Sequence, residues 1–283
     1  MTRPASTALT RFRKLFGNMT RCAVIGMIHV KALPGSPLNN SAINEIVEHS
    51  IDEARLYRDC EVDGVLVENM HDTPYTLNEC PAITACMTRV CQSVRETVGP
   101  NLACGVQILA ANNRAALAVA AATNFNFIRA EGFVFSHFAD EGLINACAGD
   151  LLRYRKSLEC FAENVAIFCD IKKKHSAHAI TADVSIADMA RNADFFLADG
   201  LIVTGNSTGA EPNERDIGEV ALAVPHQPVI LGSGVTADNV TRLTKACHGV
   251  IVGSHFKQNG HWTGLLDEAK IRSFMKRLKT NVS

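Results

Sequence analysis

Charged and polar side chains stand where a series of short apolar runs in this sequence ends. Such runs are typical of buried parallel strands, and ligands bind at the carboxyl ends of these strands in α/β proteins. Residues two apart on a strand face the same side, so Arg129 with Glu131, and Asp170 with Lys172, are expected to point together. Desolvated charges of this kind supply acids and bases near neutral pH. The candidate catalytic residues are Asp170, Lys172, Glu68, Glu131, Arg129 and His29.

Each candidate has an expected role in acid–base chemistry on a small molecule. Asp170 is the leading general base or stabiliser of a cationic sugar centre, and Lys172 tunes its ionisation. Glu68 or Glu131 is the partner carboxylate, Arg129 neutralises a developing anion, and His29 relays a proton. A structural salt bridge explains any single pair equally well. The prediction therefore depends on the whole ring of strand ends, because apolar residues would close a mouth that bound nothing.

Two short strands near the carboxyl end break off in small residues, a pattern that favours a phosphate cup. Glycine lets an anion approach main-chain N–H groups, and a helix expected from Asp238 would add its positive end. Simple tight turns are the competing interpretation. The expected phosphate-binding residues are Gly232, Ser233, Gly234, Gly253 and Ser254. Further substrate contacts are expected from Asn69, Gln107, Thr204 and Gly205.

Nothing in the sequence requires a cofactor, although binding of a divalent metal such as Mg²⁺ stays an open possibility. Glu68, Asp72 and Asp170 offer the oxygen ligands that Mg²⁺ takes, but their spacing does not establish a site. The ten cysteines include no C-x-x-C pair, and several lie in apolar runs where a thiol behaves as a small hydrophobe. We therefore expect reduced thiols rather than disulfides or a zinc site.

Apolar runs alternate with helical periodicity along the chain, which predicts eight strand–helix pairs. The predicted strands are 22–29, 63–69, 102–109, 126–131, 165–172, 200–205, 228–232 and 249–253. The predicted helices are 43–60, 82–98, 112–122, 150–163, 186–196, 214–224, 238–246 and 265–278. Eight such pairs without a linker predict one α/β domain, a single (β/α)₈ TIM barrel whose last two strands carry the phosphate cup.

The first 21 residues form a basic leader, and residues 22–283 are expected to form the barrel. No acidic residue precedes Glu45, whereas five basic residues precede the first strand. This composition is typical of a mitochondrial transit peptide, and a helix that closes the bottom of the barrel is the competing interpretation. Both interpretations hold if a presequence ends near residue 10 and the helix that closes the barrel follows it. Mitochondrial and cytoplasmic locations therefore both stay open.

Charge and hydropathy narrow the class of partner. The chain has 28 basic and 29 acidic residues, so it lacks the basic footprint of a nucleic-acid-binding protein. No apolar run reaches the length of a membrane span. We expect a soluble protein whose partner is a small phosphorylated metabolite, and association into a homo-oligomer stays open.

Several motifs in their order resemble the BtpA family. They lie at residues 23–37, 63–69, 127–132, 170–176 and 200–205, and at the glycine-rich ends of the last two strands. The resemblance extends from about Phe12 to the carboxyl end and implies a barrel similar to ribulose-phosphate-binding barrels. Family members have been linked to photosystem I assembly in cyanobacteria and, in an enteric sugar-utilisation cluster, to nucleosidase activity, so the resemblance does not imply one reaction.

Two functions follow from these patterns. The first is an enzyme that acts on a small phosphorylated sugar or nucleoside-like substrate, by hydrolase, lyase or isomerase chemistry. The second is a non-catalytic assembly or stabilising factor that keeps a ligand-binding mouth, because a barrel can lose its chemistry without losing its fold. Intact polar strand ends favour the enzyme.

Overall fold

The computed structural model describes residues 7–18, 20–158, 164–205 and 209–280. Eight parallel strands close into a barrel in which each strand pairs with the next along the chain and the first pairs with the last. The predicted (β/α)₈ barrel is therefore confirmed. Its strands are Ala23–His29, Gly64–Glu68, Ala103–Gln107, Phe127–Ala130, Ala166–Ile171, Gly200–Val203, Val229–Leu231 and Gly249–Val252.

Helices pack around the barrel, except the first, which lies across one end of it. They are Thr7–Phe16, Ile43–Asp59, Pro81–Val98, Asn113–Ala122, Ala148–Ser157, Ile186–Phe195, Glu214–Ala223, Val240–Leu243 and Glu268–Thr280. The predicted helix 150–163 begins earlier, at Ala148, and Glu163 lies outside the described residues. No helix within the described ranges is both long enough and apolar enough to cross a membrane.

The helix expected from Asp238 differs most from its prediction. It is one α-helical turn, Val240–Leu243, followed by a 3-10 turn at Thr244–Ala246. The side chain of Asn239 accepts a hydrogen bond from the Thr236 amide at 2.8 Å. So short a helix has little dipole to offer, and the Asn239 side chain makes no capping hydrogen bond to its first turn. The expected contribution of this helix to a phosphate cup is therefore not supported.

Strand alternation decides which side chains enter the barrel. One core cluster fills its interior and contains Ile25, Leu66, Phe127, Phe168 and Ile202. Side chains alternate along a strand, so further inward-facing positions follow this cluster toward the carboxyl ends of the strands. Those positions hold the polar residues predicted from the sequence. They are His29, Glu68, Gln107, Arg129, Asp170 and Thr204.

The amino-terminal helix Thr7–Phe16 closes the opposite end of the barrel. Phe12 and Phe16 are buried within the interior core cluster, where their rings lie 4.7 Å apart. The guanidinium of Arg11 contacts the fully buried carboxylate of Asp199 at 3.0 Å. The helix thus excludes water from the lower end of the interior.

Two segments cover the open mouth; a long loop over the mouth after the fourth strand was predicted, but the small sheet that it forms was not. A small antiparallel sheet is formed by His137–Ala139, Gly142–Ile144 and Ser176–Ala177, which follow the fourth and fifth barrel strands. The segment after the eighth strand folds back through a bridge between Lys257 and Leu266. Residues of both segments line the cavity at the mouth.

Candidate active site

A cavity of roughly 480 Å³ lies at the carboxyl ends of the strands. Five of the six predicted catalytic residues line it, together with Gln107 and all five residues of the predicted phosphate cup. Strand register aligns part of this lining, because His29 pairs with Glu68 and Glu68 pairs with Gln107 across three neighbouring strands. The five catalytic candidates are His29, Glu68, Arg129, Glu131 and Asp170.

A buried ion pair between Arg129 and Asp170 lies in the lining. Arg129 donates from Nη2 to Oδ1 of Asp170 at 3.0 Å and from Nε to Oδ2 at 3.1 Å. Burial alone would lower the pKa of Arg129, but the Asp170 carboxylate outweighs it and the pKa is raised. The pair fixes both side chains, and it replaces the expected pairing of Asp170 with Lys172.

Lys172 does not line the cavity, because the fifth strand ends at Ile171 and Lys172 has a φ of +45°. That left-handed residue breaks the alternation that would have placed it above Asp170. The following lysines take its place. Lys173 contacts Glu131 with 3.1 Å between Nζ and Oε1, and Lys174 lines the cavity.

Glu131 lines the cavity with both carboxylate oxygens already engaged. Besides the contact with Lys173, its Oε2 accepts a hydrogen bond from the Ala111 amide at 2.7 Å. The Glu131 carboxylate is thus held in place by a cation and an amide. This arrangement suits a structural group better than a proton donor or acceptor.

His29 and Glu68 form a second buried pair of a different character. His29 Nδ1 lies 3.2 Å from the Trp262 carbonyl oxygen, which can only accept, so Nδ1 carries the proton and Nε2 does not. His29 Nε2 lies 4.0 Å from Oε2 of Glu68. Burial lowers the pKa of His29 to about 3 and raises the pKa of Glu68. A neutral imidazole therefore faces a carboxyl group that holds its proton more tightly than usual.

The Gln107 side chain is only 2% exposed, and its Oε1 atom has no hydrogen-bond partner within the described residues. An unsatisfied buried oxygen costs free energy unless water or a ligand donates to it. Because Gln107 lines the cavity, this oxygen is available to a hydroxyl or amine of a bound molecule.

The predicted phosphate cup presents bare main-chain donors. Across the part of the chain that the structure describes, the amides of Ser233, Gly234, Gly253 and Ser254 donate to no other residue. The Ser233 hydroxyl is occupied, because it accepts from the Gly205 amide at 3.0 Å and donates to the Ala210 carbonyl at 3.2 Å. The backbone amides of the cup thus remain free to bind an anion.

Glycine is required at two points of the cup. Gly234 has a φ of +69°, and a Cβ there would lie 2.1 Å from the Ala210 carbonyl oxygen. At Gly232 a Cβ would lie 2.5 Å from Cγ2 of Ile202 and 3.2 Å from Nη2 of Arg129. The distance to Arg129 also places the guanidinium directly beside the cup, where it adds positive charge.

Three residues predicted to contact substrate do not line the cavity. Asn69 is fully buried, and its Oδ1 accepts from the Leu109 amide at 2.8 Å. The Thr204 hydroxyl accepts from the Lys174 amide at 3.2 Å, and Gly205 donates to Ser233. Asn69, Thr204 and Gly205 position the loops of the mouth instead.

The carboxylates considered as magnesium ligands do not converge. Asp72 accepts from the Leu33 amide at 3.0 Å and from the Asn69 amide group at 3.3 Å, and it does not line the cavity. In the four described ranges, no group of three or more His, Cys, Asp or Glu residues is placed to hold a metal ion.

Sequence reasoning assigned no catalytic role to Lys174 and Trp262, which both line the cavity. Lys174 is the third member of the basic run 172–174, and only the turn at Lys172 brings it into the mouth. Trp262 lines the cavity from the segment after the eighth strand, and its ring lies 4.8 Å from that of His71. The only sequence feature that indicated this part of the cavity lining was the single tryptophan after the last strand.

The chain matches the BtpA family over residues 20–280. A Caenorhabditis elegans protein that is named as mitochondrial is 50% identical over 267 residues, which cover 93% of this chain and 95% of the relative. The photosystem I biogenesis protein BtpA of Synechocystis is 32% identical over 260 residues, which cover 92% and 88% of the two chains. Phosphoribosyl anthranilate isomerase from Thermus thermophilus shares the fold, with a TM-score of 0.57 and 11% identity over 91% of this chain and 98% of that one. This protein therefore belongs to the BtpA family.

Proposed function

We propose that this protein is an enzyme that acts on a small phosphorylated sugar or nucleoside-like compound held in the barrel mouth. The observation that carries the proposal is the set of free amides in the cup, whose residues line the same cavity as a ring of buried ionisable groups. A phosphate would bind to the amides and hold the rest of the molecule beneath the ring. Positioning of this kind contributes a large part of enzymatic rate enhancement.

The dimensions and charges of the mouth support a ligand of this class. A volume of roughly 480 Å³ falls within the range of small-molecule sites, about 300–1,000 Å³. Arg129 beside Gly232 adds a cation to the bare N–H groups, and Gln107 offers a free acceptor to a sugar hydroxyl. The name of phosphoribosyl anthranilate isomerase, which has the same fold, refers to a phosphorylated sugar.

Glu68 is the best candidate for proton transfer. It holds its proton to a higher pH than an ordinary carboxyl group does, whereas His29, with a pKa of about 3, is a weak base whose unprotonated Nε2 can accept a hydrogen bond. Asp170, fixed by Arg129, presents negative charge to a cationic sugar centre, and Arg129 stabilises a developing anion. Proton transfer of this type serves hydrolase, lyase and isomerase reactions alike.

Mass spectrometry of the protein purified under native conditions tests the proposal. We expect a phosphorylated compound to travel with the protein, and we expect the protein to turn that compound over. Asp170→Asn and Glu68→Gln should slow turnover by 10²-fold or more, whereas Asp188→Asn, at an exposed carboxylate, serves as the matched control. Turnover equal to wild type in both cavity variants would rule out the assigned residues.

A non-catalytic assembly factor is the second candidate, favoured by the name of the Synechocystis relative as a photosystem I biogenesis protein. Under that function the mouth would bind a ligand without turning it over. A protein partner that co-purifies in stoichiometric amounts, with an empty mouth, would favour this candidate over the enzyme.

We also propose that the protein acts in mitochondria, with support from its acid-poor leader and from the name of the C. elegans relative. Ala8 and Phe12 are buried against the barrel, so cleavage near residue 10 would remove part of a packed helix. Fractionation of the source cells tests the location, whereas sequencing the amino terminus of the mature protein tests cleavage, and we expect residue 8 to be retained. Association into a homo-oligomer remains a prediction.

A further inference from the structure

Lys174 is the lysine of the mouth whose amine is not neutralised by a partner. The neighbouring Lys173 is paired with Glu131, and Lys257 behind the first strand is paired with Glu53. Among the residues that the structure describes, the amine of Lys174 forms neither an ion pair nor a hydrogen bond, although it lines the cavity. A lysine that only neutralised a structural carboxylate would be in contact with one.

The surroundings of Lys174 favour its uncharged form. Burial, then the charge of Arg129, lowers the pKa of Lys174 to about 8, while the carboxylates of Glu68, Asp170 and Glu131 oppose the shift. About one fifth of the amine is then free at pH 7.4, compared with about one in a thousand for a lysine at its ordinary pKa. A desolvated lysine next to another cation is a common form of nucleophilic amine.

We propose that Lys174 forms an imine with the carbonyl carbon of the substrate. The substrate class is therefore an open-chain phosphorylated aldehyde or ketone. This inference rests on the proposed function, because the phosphate cup is what would hold the carbonyl near the amine.

The step balances without an oxidant, reductant or metal. The free Nζ of Lys174 forms a bond to the carbonyl carbon while the carbonyl oxygen takes a proton, for which the Glu68 carboxyl is the candidate donor. The nitrogen loses its proton to a base, and the resulting carbinolamine loses its hydroxyl group as water. The product is an imine between Nζ and the substrate carbon, which water reverses by the same steps. The nearby Arg129 disfavours protonation of the free amine before it attacks.

Reductive trapping tests the imine directly. The wild-type protein is incubated at pH 7.5 with sodium cyanoborohydride and one of three probes: glyceraldehyde 3-phosphate, dihydroxyacetone phosphate or ribose 5-phosphate. Each is compared with its unphosphorylated counterpart. Peptide mass mapping then measures the adduct at each lysine. We expect Lys174 to be labelled at least tenfold faster than Lys245, an exposed lysine at the opposite end of the barrel, and only by phosphorylated probes.

Two variants make the test specific to the amine. Lys174→Arg keeps the positive charge but removes the nucleophile, so it should abolish the fast adduct. Lys172→Gln removes the neighbouring lysine outside the cavity and should label like wild type. Fast labelling that follows Lys172, equal labelling of all lysines, or no labelling of Lys174 by any probe would each overturn the proposal.

A parallel binding measurement separates this proposal from the proposed function. The probes are titrated into wild type and Lys174→Arg, with inorganic phosphate as a competitor. If both proteins bind a phosphorylated probe and phosphate displaces it, but no adduct forms in the wild type, the imine is wrong and the phosphate site stands. If neither protein binds any phosphorylated probe, both proposals fail together.

Discussion

Removal of the Arg129 guanidinium should leave the Asp170 carboxylate buried and unpaired. The Asp170 side chain is 1% exposed and accepts three hydrogen bonds from Arg129, at 3.0, 3.1 and 3.3 Å. Breaking a buried pair by removal of one partner costs about 3–5 kcal/mol. Since a domain is stable by only about 5–15 kcal/mol, Arg129→Met should lower the free energy of unfolding by a large fraction of the total.

The reason for this loss is charge, so a second substitution should recover part of it. Asp170→Asn in the Arg129→Met background removes the unpaired charge and should regain about 2 kcal/mol. Urea unfolding of wild type, both single variants and the double variant at pH 7 gives the coupling energy directly. The same cycle on the exposed pair Arg191 and Asp188, whose side chains are 54% and 50% exposed, should give less than about 1 kcal/mol.

The result that would refute this reasoning is specific. If Arg129→Met loses less than about 1 kcal/mol, or if Asp170→Asn adds a further loss in the same background, the pair is not the buried, coupled unit described above. The geometry proposed for the ring of charges would then be wrong as well.

Three further predictions concern the same site. Lys174→Met should raise the urea midpoint at pH 7, because the folded state disfavours the ammonium, and the gain should shrink as pH rises from about 8 toward 10.5. The pKa of His29 is about 3 in the folded protein against an ordinary 6.5, so the neutral His29 contributes stability above pH 6.5 that is lost as pH falls. The loss is about 2 kcal/mol at pH 5. The free energy of unfolding should therefore fall less between pH 7 and pH 5 in His29→Gln than in the wild type. Gly234→Ala should cost about 2 kcal/mol or more by denaturant titration, because its Cβ would clash with the Ala210 carbonyl, whereas Gly209→Ala, at a φ of +80° with open space, should cost about 1 kcal/mol. An unchanged midpoint in Lys174→Met, an unchanged pH slope in His29→Gln, or equal losses in the two glycine variants would contradict the respective explanation.

The parts of the fold that depend on short-range pattern could be predicted from the sequence. Eight apolar runs give eight strands, and two-residue alternation places Glu68, Arg129 and Asp170 on the inner face of the barrel. The small residues after the last two strands likewise follow from local chemistry, since an anion needs bare amides.

The remaining features depend on contacts between distant parts of the chain. Because Lys172 has a left-handed backbone, Lys174 and not Lys172 is the unpaired lysine that lines the cavity. Alternation along a straight strand does not predict this. Asn69 becomes a structural residue only because the Leu109 amide, forty residues later, needs an acceptor. His29 acquires a defined tautomer from the carbonyl of Trp262, more than two hundred residues away.

A crystal structure of the protein with ribose 5-phosphate tests the central claim most directly. We predict that the phosphate lies between the two small-residue turns and accepts hydrogen bonds from the amides of Ser233, Gly234, Gly253 and Ser254, while the sugar extends toward Glu68. A phosphate bound elsewhere, or a mouth without a bound molecule at millimolar ligand, would contradict the account.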